Sequence, residues 1–373
     1  MLTIFKEIKQ NFGFGCMRLP MSKEEVDLFE FQKMVDCFMS SGFNYFDTAR
    51  VYTEGKSELA LRECLTKKYS RESFVFTDKL SSPLFNRGED LEPLFNKQLE
   101  STGLDYFDFY LIHAVGKRNY QKYLDTGCFD FVIRKKKEGK IKHIGMSFHD
   151  EPEFLDEILS THKEIEVVQI QFNYLDQDNP NVQSRACYEV CVKHNKPIIV
   201  MEPVKGGSLV NLTPKAQSVF DELNNGSNAS YALRYVASFD QIFMILSGMS
   251  DMHQMMDNVS FMKDVKPLSE NEFRAVNKVV DYLKDEKVIP CTSCRYCIDG
   301  CPKNINIPEL FKCYNASSLY RDYQAFSRYN ALTENGGKAS DCIKCGGCEN
   351  SCPQHLKIRD YLVKVSEQLE RKQ

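Results

Sequence analysis

From Gly13 to about Asn258 the chain alternates short apolar runs with longer amphipathic stretches, and no other feature restricts its fold as much. Eight runs read as strands: "FGFGCMRL", "FNYFDT", "SFVFTDK", "FDFYLIH", "KHIGMSF", "VVQIQFN", "PIIVMEP" and "IFMILSG". Helical patterns such as "EEVDLFEFQKMVDCFMSSG" and "SELALRECLTKKY" separate them. Strands rich in β-branched and aromatic residues, alternating with helices, imply parallel βαβ units. Eight such units over roughly 250 residues predict an α/β fold of the (β/α)8 barrel type. A doubly wound sheet would want a G-x-G-x-x-G turn after the first strand. "GFGCMRLP" has two glycines and lacks the third.

After Asn258 the pattern changes. "PLSENEFRAVNKVVDYLKDE" predicts one helix, with Ser269 as N-cap and Glu272 at the capping-box spacing. A distinct region opens near Val288. The expected division is a barrel over 1–265, a connecting helix over 266–287 and a small, mainly α-helical module over 288–373. In that module "IPELFKCYNASSLYRDYQAFSRYNAL" reads as helical and "ENGGK" breaks it. A net charge of −4 is a poor footprint for nucleic acid or an anionic membrane, which need a basic face. No apolar run approaches the ~18 residues of a membrane span. "MLTIFKEIKQNFGFG" lacks a signal peptide's apolar core, so a cytoplasmic protein is expected.

The module carries two cysteine runs, "CTSCRYCIDGCPKN" from Cys291 and "CIKCGGCENSCPQH" from Cys342. Both read C-x2-C-x2-C-x3-C-P, the ligand spacing of a bacterial-type pair of 4Fe–4S clusters. Zinc also binds C-x2-C pairs, but a zinc site takes four ligands from two separated pairs. Of the 15 cysteines, eight lie in these runs. Cys16, Cys37, Cys64, Cys128, Cys187, Cys191 and Cys313 are read as structural thiols, since disulfides are not expected without a secretory signal. The runs resemble those of two-cluster ferredoxins. That resemblance implies crossed ligation, one cluster on Cys291, Cys294, Cys297 and Cys352 and the other on Cys342, Cys345, Cys348 and Cys301. The long helical stretch between the runs is similar to α-helical ferredoxin modules of respiratory iron–sulfur subunits.

Asp47 in "FDTARVY", Lys79 in "FTDKL" and His113 in "FYLIHA" stand at the ends of successive predicted strands, and Tyr52 lies just beyond one. In a (β/α)8 barrel that is the catalytic face. The set resembles the aldo/keto reductase family over residues 10–260. "FDTARVY", "DYFDFYLIH" and "KIKHIGMS" carry the resemblance. It implies hydride transfer between a nicotinamide, NADP or NAD, and a small carbonyl substrate. Tyr52 would be the general acid, Lys79 would lower its pKa, Asp47 would hold Lys79, and His113 would orient the carbonyl. For the cofactor it implies Ser147, Gln169 and Asn173 near the nicotinamide, and Ser247, Gly248, Gln254 and Asn258 on the phosphate and adenine side.

Three positions depart from the family. Phe148 follows the serine where Asn is common, Met201 stands where an aromatic ring stacks, and Ser250 stands where a cation grips the 2′-phosphate. Lys205 is the other candidate for that grip. These departures leave NADPH, NADH and flavin open. A hydride carries two electrons and a cluster passes one, so a relay between barrel and clusters needs a flavin or an external partner, a ferredoxin or flavoprotein. Two other readings remain: a nucleotide-binding regulatory barrel, and clusters that only hold the tail together.

Overall fold

The structure, a computed structural model, describes residues 4–285, 288–320 and 324–370. All eight predicted strands form. They are β1 (Phe12–Gly15), β2 (Tyr45–Asp47), β3 (Val75–Leu80), β4 (Phe107–Val115), β5 (Ile141–Phe148), β6 (Val167–Gln171), β7 (Ile198–Met201) and β8 (Ile242–Ser247). Each pairs in parallel with its sequence neighbours, and β1 closes the barrel by pairing with both β2 and β8. A short ribbon, Met21–Ser22 against Glu25–Val26, lies outside the barrel sheet.

Side chains fill the interior in a layer that includes Tyr45, Phe109, Leu111, Val167, Ile199 and Met244. Bulk at those positions demands its absence elsewhere. A Cβ on Gly13 would lie 2.6 Å from Leu246 Cδ2, and one on Gly145 would lie 2.5 Å from both Leu111 Cδ2 and Val167 Cγ2. Phe5 packs edge-on against Phe109 and His143, with ring centroids at 5.0 and 4.6 Å.

The chain folds as two compact units. The first holds 1–179, 183–204 and 226–273, and the second holds 180–182, 205–225 and 274–373. In space, therefore, Lys205–Asn225 goes with the cysteine module, although it follows β7 in the chain. The predicted capping box forms at the start of helix Glu270–Lys284: Ser269 N–H and Oγ each donate to Glu272 Oε2 at 2.8 Å. The second unit is helical as expected, with Ile307–Tyr320, Gln324–Glu334 and Ile358–Leu369 around a core that includes Ile305, Leu310, Phe311 and Leu362. Among the described residues no helix is long and apolar enough to cross a membrane.

None of the 15 cysteines forms a disulfide. Six of the seven scattered ones are buried, and Cys37 is half-buried. Burial pushes Cys64 and Cys128 up to about 11 and Cys187 up to about 12, which keeps them as inert thiols at neutral pH.

Candidate active site and cysteine cavities

The structure brings the four predicted catalytic residues together at the C-terminal ends of β2, β3 and β4. Lys79 is fully buried, and its ammonium has three donors. All three are used: Asp47 Oδ1 accepts at 2.6 Å, the Thr48 carbonyl at 2.8 Å and Tyr52 Oη at 3.1 Å. Gln169 Nε2 donates to the second Asp47 oxygen at 3.2 Å. Burial pushes the Asp47 carboxyl up, while the charge and hydrogen bond of Lys79 and the Gln169 amide pull it back.

Tyr52 is held by a strained loop. Thr53 and Glu54 are left-handed at φ 49° and 57°, and Gly55 follows at φ 85°. Non-glycine residues in that region cost on the order of 1 kcal/mol or more each, which a loop bears where it fixes a functional side chain. His113 sits at a second irregularity. The β4–β5 register shifts between Ile112 and Val115, with Ala114 left-handed at φ 51°. Such bulges re-aim side chains beside active sites. Ser147 Oγ accepts the Ala114 N–H at 2.7 Å and so holds the bulge. The His113 and Tyr52 rings meet edge-on at 5.8 Å. His113 Nδ1 and Ser81 Oγ are hydrogen-bonded at 2.6 Å. Burial, with the Lys79 charge, holds the His113 pKa well below the usual imidazole value, so the ring is neutral.

Adjacent strand residues point to opposite faces, so Asp78 faces away from Lys79's partners. It meets a second buried acid, Glu58, whose Oε2 accepts from Arg50 Nη1 at 2.7 Å. Glu58 Oε1 and Asp78 Oδ2 are buried with no hydrogen-bond partner. Burial pushes both carboxyls up, and the Glu58 charge raises Asp78 further. Two buried carboxyls that repel in this way disfavour ionising together.

The predicted cofactor residues divide into two groups. Asn173 lies in a loop network, its Nδ2 donating to Asp176 Oδ2 at 2.9 Å and to the Glu202 carbonyl at 3.1 Å. Met201 ends β7, and Phe148 is buried at the end of β5. Beyond β8, Asn258 Nδ2 donates to Ser247 Oγ at 2.9 Å, and Gln254 accepts the Ser250 N–H at 3.0 Å. Asp251 caps helix Met252–Met262. Ser250 Oγ donates to the Arg18 carbonyl at 2.9 Å, and Gly248 lies against the Arg18 side chain. Arg18 pairs with Glu202 at 3.0 Å. Sequence reasoning missed Arg18, Ser81 and the Glu58–Asp78 pair. Arg18 lies in the first predicted strand run, "FGFGCMRL", beyond the residues that form β1.

The second unit holds two cavities. Cys291, Cys294, Cys297 and Cys352 line the first, with Phe311, Leu356 and Ile358 in its wall. Cys301, Cys342, Cys345 and Cys348 line the second. Each cavity thus takes three thiols from one run and the fourth from the other, and Ile307 lines both. Among the described residues no three His, Cys, Asp or Glu side chains close on a single ion.

The runs also repeat in conformation. The residue before the second cysteine of each is left-handed, Ser293 at φ 54° and Lys344 at 58°. So is the residue after it, Arg295 at 69° and Gly346 at 82°, and the residue three beyond the fourth cysteine, Asn304 at 50° and His355 at 49°. Left-handed residues in such loops turn backbone N–H groups inward into anion-binding concavities. Ser293 N–H donates to Cys291 Sγ at 3.4 Å. Four thiols around an apolar-walled cavity, with an amide directed at a sulfur, fit an iron–sulfur cube.

A closed parallel barrel with a buried Lys–Asp–Tyr–His site at its C-terminal face defines an oxidoreductase-type barrel. The chain belongs to the aldo/keto reductase family, whose model matches residues 11–281, and a 4Fe-4S dicluster domain model matches residues 290–357. Among curated relatives it is 27% identical to glyoxal reductase of Bacillus subtilis, covering 60% of this chain and 73% of that protein. It is 29% identical to 9,11-endoperoxide prostaglandin H2 reductase of Trypanosoma cruzi, covering 45% of this chain and 55% of that protein. The fold matches a holo aldo-keto reductase from Bacillus halodurans at a TM-score of 0.59 with 21% identity, over 72% of this chain and 91% of that one. It matches an aldo/keto reductase from Klebsiella pneumoniae, in complex with NADP and acetate, at 0.59 with 16% identity and the same coverage.

Proposed function

We propose that the barrel reduces a small carbonyl compound with NAD(P)H and that the cysteine cavities hold two 4Fe–4S clusters that carry electrons. The observation that carries the first part is the saturation of Lys79. Its ammonium gives two donors to Asp47 and Thr48 and the third to Tyr52 Oη. A free tyrosine at pKa ~10 is a weak acid near neutrality, and an adjacent ammonium favours phenolate and strengthens it. Tyr52 would give its proton to the alkoxide that develops as the carbonyl is reduced.

Bound NAD(P)H would supply the hydride, and the Klebsiella relative's NADP supports that choice. The Ser81 hydroxyl, donating to His113 Nδ1, would leave the imidazole proton on Nε2, where it could hydrogen-bond the substrate oxygen. Ser247, Gly248, Ser250, Gln254 and Asn258 would surround the phosphate and adenine side, with Arg18 as its cation. Ser147, Gln169 and Met201 would border the nicotinamide. The clusters, when present, supply one-electron transfer, and a ferredoxin or flavoprotein would be the exchange partner. No feature of the site favours a flavin within the barrel. The test is NAD(P)H oxidation by the anaerobically purified protein with small aldehydes, the relatives' glyoxal among them. Turnover that disappears in Tyr52→Phe supports the reading, and turnover that persists in it removes Tyr52 as the acid.

A further inference from the structure

We propose that Lys205 sets the electron affinity of one cluster only, the one on Cys291, Cys294, Cys297 and Cys352, and so makes it the electron-accepting end of the pair. This rests on reading those cysteines as cluster ligands. Lys205 had been a candidate for gripping a 2′-phosphate. The structure instead places it within the second unit, 2% exposed, with Nζ donating to Gln354 Oε1 at 3.3 Å. Gln354, 4% exposed, lines the first cavity beside Cys352.

The next residue fixes the arrangement. Gly206 is left-handed at φ +61°, and a Cβ there would lie 2.3 Å from the Thr292 carbonyl oxygen. Only glycine lets the segment approach this closely. Thr292 also lines the first cavity and follows Cys291 directly. Lys205 itself is left-handed at φ 49°, an unfavourable conformation for a lysine. The ammonium is thus held one side chain from the cavity's edge, out of water.

A cube on four thiolates is anionic, and reduction adds one more negative charge. A buried cation nearby stabilises that added charge with little screening. No buried cation lines the second cavity, and the one cation lining the first, Arg295, is exposed. The second cavity's two cations, Lys303 and Arg359, are exposed, and Arg359 is paired with Glu349 at 2.7 Å. Water and that carboxylate screen them. Cys345 of the second site is itself exposed, whereas Cys297 of the first is buried. With clusters bound, an electron would enter at the more exposed second site, and the Lys205 charge would favour its passing to the first.

The test is an electron paramagnetic resonance redox titration of the anaerobically purified holoprotein. It compares wild type with Lys205→Met, Lys205→Gln and Lys205→Arg. In the two uncharged variants one cluster should become about tenfold harder to reduce, about 59 mV lower for a one-electron couple. The other should not move, and Lys205→Arg should stay near wild type. The moving signal should be the one missing in Cys352→Ala. Two unmoved clusters, two that move together, or movement of the signal that survives in Cys352→Ala would each overturn the proposal while leaving the clusters themselves established. Absence of any iron–sulfur signal from wild type would overturn the reading of the cysteines, and the proposal with it.

Discussion

The barrel site and the cysteine cavities treat their reactive groups in opposite ways. In the barrel, Lys79 is saturated by its own chain, with Asp47, Thr48 and Tyr52 each within 3.1 Å. The site lies in a closed sheet whose interior is packed with side chains. In the second unit four thiols line each of two small cavities, in loops shaped by left-handed non-glycine residues such as Ser293, Arg295 and Lys344. One region has its interactions complete within the protein. The other gathers thiol ligands of the number and kind a cluster takes. A preorganised site suits proton transfer, where reorganisation would cost rate. A site built around a ligand makes binding part of folding.

The largest expected effect tests that contrast directly. Anaerobic removal of iron should unfold the second unit, because metal-site binding free energies of order 10 kcal/mol are folding free energies. Hydrogen exchange should accelerate across 288–370 and also across 205–225, while β2 to β4 stay protected. An iron-free second unit with native protection would break the comparison. Tyr52→Phe should next lower kcat by about 10²–10⁴-fold with iron content unchanged. A loss of iron in that variant would mean the two regions are not separable.

Cys352→Ala should remove the cluster of the first cavity and leave that of the second, so iron analysis should show about half the wild-type content. Loss of the Cys342 cluster alone would show uncrossed ligation. Arg18→Ala should weaken dinucleotide binding by about one to two decades, or ~1.5–3 kcal/mol for one charge-assisted contact. With Ser250 where a cation is common, any preference for NADPH over NADH should stay within the same range and shrink in Arg18→Ala. An unchanged affinity would take Arg18 out of the site.

The smallest effect is a matter of pH. The folded-state pKa of His113 is depressed, so the stability it contributes is present above about pH 6.5 and is lost as pH falls toward the folded value. His113→Gln should therefore make the acid-side decline in stability shallower. For the same reason kcat/KM should show no limb near pH 6.5 from this ring, and a limb that disappears in His113→Gln would show it charging there.

Much of this was legible in the chain. All eight strands stand where the apolar runs predicted, because a parallel strand buried on both faces needs a continuous apolar run. Asp47, Lys79 and His113 were found because strand ends define one face of a barrel. The pairing of the cysteines followed from the resemblance to ferredoxins, and the cavities group them in the same way. Arg18 and Ser81 were not legible. Neither belongs to a periodic pattern, and each gains meaning from a partner far along the chain: Glu202 for Arg18 and His113 for Ser81. The Glu58–Asp78 pair was hidden for a related reason. Twenty residues separate the two acids, and an acid next to a strand lysine reads as ordinary solvent-facing alternation.

By itself the sequence determined the local periods, the strand ends and the ligand spacing, because those depend on residues close together in the chain. The tertiary structure decided which distant groups share one dielectric environment. It saturated Lys79, neutralised His113, set two repelling carboxyls in one buried place and gave Lys205 to Gln354. Charge interactions in a protein are set by distance and burial, and neither quantity is written in the order of residues.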